Sequence, residues 1–91
     1  MNKFSSELKA KLNNKVFNII RFDRLICTSL CKCEFESNGD QIEFRCKNYN
    51  LRIKSDAIRS ISYEPNGKIK IHLGELDYIQ LYSIEDKPVF R

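Results

Sequence analysis

The stretch Cys31-Lys32-Cys33-Glu34-Phe35-Glu36-Ser37-Asn38-Gly39-Asp40-Gln41-Ile42-Glu43-Phe44-Arg45-Cys46 carries the reading of the whole chain. Cys31, Cys33 and Phe35 alternate with Lys32, Glu34 and Glu36. The alternation resumes after a break, with Ile42, Phe44 and Cys46 against Glu43 and Arg45. A period of two marks a strand with one face turned to a core. Asn38-Gly39 is the pair preferred in a two-residue type I′ hairpin turn. Such a turn sets the register, with Phe35 facing Ile42, Cys33 facing Phe44 and Cys31 facing Cys46.

Downstream, Lys47 to Asn50 reads as a second turn, a four-residue loop that puts Cys46 opposite Leu51 and Phe44 opposite Ile53. Ser55-Asp56 can cap a single helical turn. Ile61 to Glu64 opens another strand, Pro65-Asn66-Gly67 turns the chain, and Ile69, Ile71 and Leu73 alternate with Lys70 and His72. The last strand carries Ile79 and Leu81 on one face and Tyr78 and Tyr82 on the other. Residues 83–91 contain Pro88 and are expected to be irregular.

Upstream, Phe4, Leu8 and Leu12 recur at helical spacing. Ser5 or Ser6 can cap this helix, which is expected to span about 5–13 and to end at Asn13-Asn14. Arg21 to Arg24 reads as a turn. Cys27 shares the parity of Cys31, Cys33 and Phe35 and is expected on the same inward face. The fold class is therefore mostly β: a short N-terminal helix followed by about six antiparallel strands in a small curled sheet or barrel. Strand character covers about 15–21, 26–36, 41–46, 51–54, 60–64, 68–73 and 76–82, within one domain.

Length and composition bound the function. The chain has 91 residues, 42% of them hydrophobic and 31% charged, with a net charge of +4. That is room for one core and no separate catalytic domain. Most of the positive excess lies in residues 1–30, and +4 is too mild to demand a nucleic-acid partner. No apolar run has the length of a secretory signal or a membrane span, so a cytoplasmic location and no membrane partner are expected. The four cysteines are then expected as core thiols. A zinc site at Cys27, Cys31, Cys33 and Cys46 is a remote alternative, because metal-ligand pairs favour tight turns over strands. His72, between Ile71 and Leu73, is expected to face solvent, away from any thiol it could activate. No nucleophile elbow, phosphate loop or metalloprotease helix occurs, so no enzyme and no cofactor is expected.

Two surfaces remain as candidates for binding. The register above puts Lys32, Arg45 and Arg52 in one cross-strand basic row, with Arg59 nearby and Tyr49 at the turn. Like charges side by side invite an anionic partner. The Tyr78 and Tyr82 strand, apolar on both faces, is the second. The leading expectation is a non-enzymatic binding module acting by protein–protein contact with an acidic surface. By analogy it would be an inhibitor or regulator of a larger, nucleic-acid-processing machine. An RNA- or DNA-binding small barrel is the alternative.

Helix-then-barrel order, laid on Leu12 through Leu30, resembles the Sm-like architecture. That family's RNA-binding glycines and Asp-x-x-x-Asn pattern are missing here, so no functional residue carries over. Residues 25–81 also resemble the YabP-type sporulation proteins at Leu25-x-Cys27-Thr28 and Gly74-x-Leu76-x-x-Ile79. The glycines expected at Ser29, Tyr49 and Ser55 are absent, and what is shared is mostly apolar alternation.

Overall fold

A computed structural model describes residues 3–38, 40–47, 49–65 and 67–86, with the side chains of 83–86 left aside. Helix α1 (Lys3–Leu12) is followed by strands β1 (Lys15–Asp23), β2 (Ile26–Asn38), β3 (Gln41–Cys46) and β4 (Tyr49–Lys54). A 3-10 turn (Ser55–Ala57) leads to β5 (Ser60–Tyr63), β6 (Ile69–Gly74) and β7 (Asp77–Asp86). All pairings are antiparallel, in the order β4-β3-β2-β1-β7-β6-β5. The sheet is open between β4 and β5 among the described residues, so of the two expected forms, curled sheet or barrel, the chain takes the curled, unclosed sheet.

The helix ends where expected. Asn14 takes φ 61°, the left-handed conformation that stops a helix and that Asn tolerates better than most residues. Its start differs. The helix already runs at Lys3, so Ser5 is inside it rather than capping it. Ser5 is buried, and its hydroxyl is hydrogen-bonded to the buried hydroxyl of Ser55, which ties the helix to the 3-10 turn. Leu8 and Leu12 seal the core beside it.

Strand β2 serves two neighbours in turn. Its first part pairs with β1 as far as Phe17 opposite Cys33, and its second part pairs with β3 from Glu34 opposite Arg45. The curl lets Phe17 of β1 meet Phe44 of β3 edge-on, ring centroids 5.9 Å apart, although β2 lies between those strands. Ile19, Ile42, Leu51, Ile53, Ile69, Ile71, Ile79 and Leu81 complete the buried face. All of these but Ile19 are positions that alternation selects.

Both hairpin registers differ from expectation by one step of the turn. Asn38 pairs with Gln41 and Phe35 with Phe44, so the reversal sits one residue later than Asn38-Gly39. Gly39 itself lies outside the described residues. Cys46 pairs with Tyr49, so two residues turn the chain where four were expected, and Tyr49 begins β4. Each change moves the pairing by an even number of positions. The inward set of side chains is therefore unchanged while its cross-strand partners differ.

Other boundaries shift outward. β1 reaches Asp23, leaving Arg24 (φ 56°) and Leu25 as the turn where Arg21–Arg24 was expected. β7 runs on to Asp86, so residues 83–86 are strand rather than irregular tail; residues 87–91 lie outside the described set.

Candidate functional site

Between Phe17 and Ile19 of β1, the neighbouring β2 carries an extra residue. Phe17 faces Cys33 and Ile19 faces Leu30, so Cys31 and Lys32 together oppose Asn18. Lys32 takes φ 54°, and its backbone N–H donates to the Asn18 side-chain oxygen at 3.0 Å. This is a β-bulge, and it reverses the parity of the strand across it. Cys33 stays on the core face and is fully buried, whereas Cys27 and Cys31 are exposed on the opposite face. The expectation of four inward thiols is thus corrected to one buried thiol and Cys46 half-buried beside it. All four are free, and the described residues hold no group of three or more side chains placed to bind a metal. Cys46 donates its thiol hydrogen to the Tyr49 carbonyl at 3.0 Å. Burial, and next the neighbouring Cys46, push the Cys33 thiol from an ordinary 9.0 up to about 12.

The register also rearranges the charged face. Glu34 lies opposite Arg45, and Glu43 lies between Glu36 and Arg52. Arg45 approaches Glu36 at 3.2 Å and Glu43 at 3.4 Å, and Arg52 donates to Glu43 at 3.0 Å. The expected row of Lys32, Arg45 and Arg52 does not form. The later β2–β3 turn puts Glu34 rather than Lys32 opposite Arg45, and each arginine is interleaved with glutamate. A chain of alternating charge is a solvated, self-neutralised surface rather than an anion trap.

The Tyr78 strand is interior, between β1 and β6. Tyr78 stacks on Phe22 with ring centroids 5.4 Å apart, and the Lys70 ammonium lies 4.2 Å from the Tyr78 ring centre. His72 is on the same outer face, its Nε2 sharing a 3.1 Å hydrogen bond with the Ser62 hydroxyl. Tyr78 and Tyr82 are both half-buried. Much of the Tyr78 ring is therefore engaged within the chain itself. Val89 and Phe90, expected beside this strand, lie outside the described residues.

Pattern reading passed over the most exposed apolar group. The Arg24 backbone N–H donates to the Leu76 carbonyl at 2.9 Å, locking the β1–β2 turn against the β6–β7 turn. Leu25 (98% exposed), Ile26 (65%) and Leu76 (64%) project from these two turns. A shallow cleft beside them is lined by Arg24, Arg59, Leu73, Glu75, Leu76 and Asp77. Asp77 is held from the β1 side by Arg21, whose Nε and Nη2 donate at 3.1 and 3.2 Å. Arg59 thus belongs to this end of the molecule and not to the arginines of β3 and β4. The available signal was Leu25 itself, a large apolar residue in a turn flanked by charge.

Among the described residues no helix is long and apolar enough to cross a membrane. Comparison with protein-family models, curated proteins and solved structures finds no match to this chain. The two family likenesses noted above supply no residue role here.

Proposed function

We propose that the chain is a non-enzymatic binding module whose contact surface is the paired-turn end of the sheet. The observation that carries this reading is the exposure of Leu25, Ile26 and Leu76 on two turns tied together by the 2.9 Å bond between Arg24 and Leu76. Large side chains held rigidly in water keep an apolar surface on offer, and rigidity lowers the entropy lost on docking. Arg24 and Arg59 line the cleft together with Glu75 and the Arg21-held Asp77, which suits a protein partner that presents an apolar patch with charges of both signs around it. The interleaved glutamates of β3 and β4 favour this over the nucleic-acid alternative, since a phosphate backbone is drawn to uncompensated cations.

The test is affinity capture from native lysate with the tagged chain, with and without nuclease, alongside the double variant Leu25→Asp/Leu76→Asp. The expected result is a stable protein partner that survives nuclease and is lost with the double variant. Capture that disappears on nuclease treatment would support the nucleic-acid reading instead. A partner retained by the folded double variant would place the contact elsewhere.

A further inference from the structure

The β2–β3 hairpin brings two thiols face to face. Asn38 pairs with Gln41, and the ladder runs from there to Glu34 opposite Arg45. One position further in the same register, Cys33 lies opposite Cys46. A two-residue turn is flanked by a hydrogen-bonded pair, and pairs with and without hydrogen bonds alternate from it. Counted from Asn38 and Gln41, Cys33 and Cys46 fall at a pair without hydrogen bonds. Pairs of that kind have the closer side chains, with Cα atoms about 4.5 Å apart. A disulfide spans Cα separations of about 4.4–6.8 Å. Cys33 is fully buried and Cys46 packs half-buried against the same core, so both thiols leave their strands on the inner face.

The thiols are in contact but unequal in access. A side-chain hydrogen bond joins Cys33 to Cys46, and the Cys46 thiol donates in turn to the Tyr49 carbonyl at 3.0 Å. Only Cys46, at the end of β3, meets solvent. The other two cysteines form no such pair. Cys27 and Cys31 are exposed, four positions apart along one strand. That is roughly 13 Å at about 3.3 Å per residue, beyond the reach of a disulfide.

We infer that Cys33 and Cys46 are a reversible dithiol–disulfide pair, oxidised by a low-molecular-weight disulfide such as glutathione disulfide, whose bond clamps β3 to β2. Cys46 reacts first. Its thiolate attacks one sulfur of the oxidant, the S–S bond there breaks, one thiol leaves, and Cys46 carries a mixed disulfide. The Cys33 sulfur then attacks Cys46 Sγ, and the second departing sulfur takes up the Cys33 proton. Two protons and two electrons pass from the pair to the oxidant, which leaves as two thiols. Burial, and next the charge on Cys46, hold the Cys33 proton in the reduced pair. The mixed disulfide removes that charge and so eases the second step. A reductant reaches the finished bond from the Cys46 side and reverses it. The clamp sits where β2 passes from β1 to β3, since Cys33 still pairs with Phe17 while Glu34 pairs with Arg45. It uses no residue of the paired-turn end, and neither proposal needs the other.

The double variant Cys27→Ser/Cys31→Ser leaves only the proposed pair and changes only exposed side chains. It is incubated natively with glutathione disulfide, and quenched samples are read by mass spectrometry. The expected product is lighter by two hydrogens, with Cys33 and Cys46 joined in the peptide map. Adding Cys33→Ser is expected to stop the reaction with glutathione on Cys46. Adding Cys46→Ser is expected to leave Cys33 unmodified. A Cys46 that keeps its glutathione beside an intact Cys33, or a pair that stays reduced, would overturn the proposal. Peptide mapping of the oxidised wild-type chain reads the same bond should the double variant not fold. Oxidation is also expected to raise the urea midpoint, because the bond restricts the unfolded chain. It is expected to abolish the fall in stability just above pH 9.0 that the Cys33 proton causes, and dithiothreitol to restore it. An oxidised form less stable than the reduced one would exclude a clamp.

Discussion

Asn18 and Lys32 are joined across two strands: the Asn18 side-chain oxygen accepts the backbone N–H of Lys32 at 3.0 Å, holding that residue at φ 54°. A non-glycine residue in the left-handed region costs roughly 1–2 kcal/mol. The bulge it forms decides which cysteines see the core.

Asn18→Ala removes the acceptor and is expected to destabilise the fold by about 1 kcal/mol, the net worth of such a bond. Lys32→Gly relieves the left-handed backbone and is expected to offset part of that loss when combined with Asn18→Ala. Urea denaturation of the two single variants and the double variant checks both signs.

Phe44→Ala is expected to cost about 3–5 kcal/mol. Phe44 is fully buried and touches Phe17 edge-on and Phe35 at 5.7 Å, so its loss opens a cavity where three strands meet. In a domain of this size that is a large part of the total stability. Loss of the cooperative thermal transition near room temperature would show it.

Thiol reactivity should divide along the bulge. With iodoacetamide on the native protein, Cys27 and Cys31 are expected to react first and Cys33 only after unfolding. Mass spectrometry of quenched samples reads the order directly. Early labelling of Cys33 would contradict its burial.

The same residue sets a pH dependence. In the unfolded chain Cys33 loses its proton near 9.0, but in the fold only near about 12. The unfolded state therefore binds fewer protons in that window, and stability falls as pH rises. The limiting slope is about 1.4 kcal/mol per pH unit for a single group. Tyr63, raised to about 12 mainly by burial and then by Glu7, acts in the same direction above 10.0. Cys33→Ala is expected to flatten the fall just above pH 9.0 and leave the Tyr63 part. Denaturation midpoints at several alkaline pH values check it.

Glu43 is the hub between Arg45 and Arg52, and its side chain is only 12% exposed. Glu43→Gln is expected to cost about 1 kcal/mol, and Arg52→Ala, more exposed, less than about 0.5 kcal/mol. Added salt should narrow the difference between wild type and Glu43→Gln, since screening weakens the ion pairs.

Alternation was sufficient to name the buried faces of β3, β4, β6 and β7, from Ile42 and Phe44 through Ile79 and Leu81. It holds because successive side chains leave a strand on opposite sides, a property of the backbone that needs no neighbour. Turn residues announced each reversal but not its last residue. Asn38 and Tyr49 both close tighter or later than expected, and that choice was enough to place Arg45 opposite Glu34 and Arg52 opposite Glu43. The thiols and Leu25 depended on more distant relations. Whether Cys31 shares a face with Cys33 rests on a bulge at Lys32 held by Asn18, fourteen positions from Lys32 in the chain. Whether Leu25 stands beside Leu76 rests on the strand order that sets β7 against β1. Local geometry therefore makes strands and their inner faces legible in one chain of letters. Register, bulges and the meeting of distant turns arise from contacts between segments, and these settle which charges cancel and which apolar residues remain exposed.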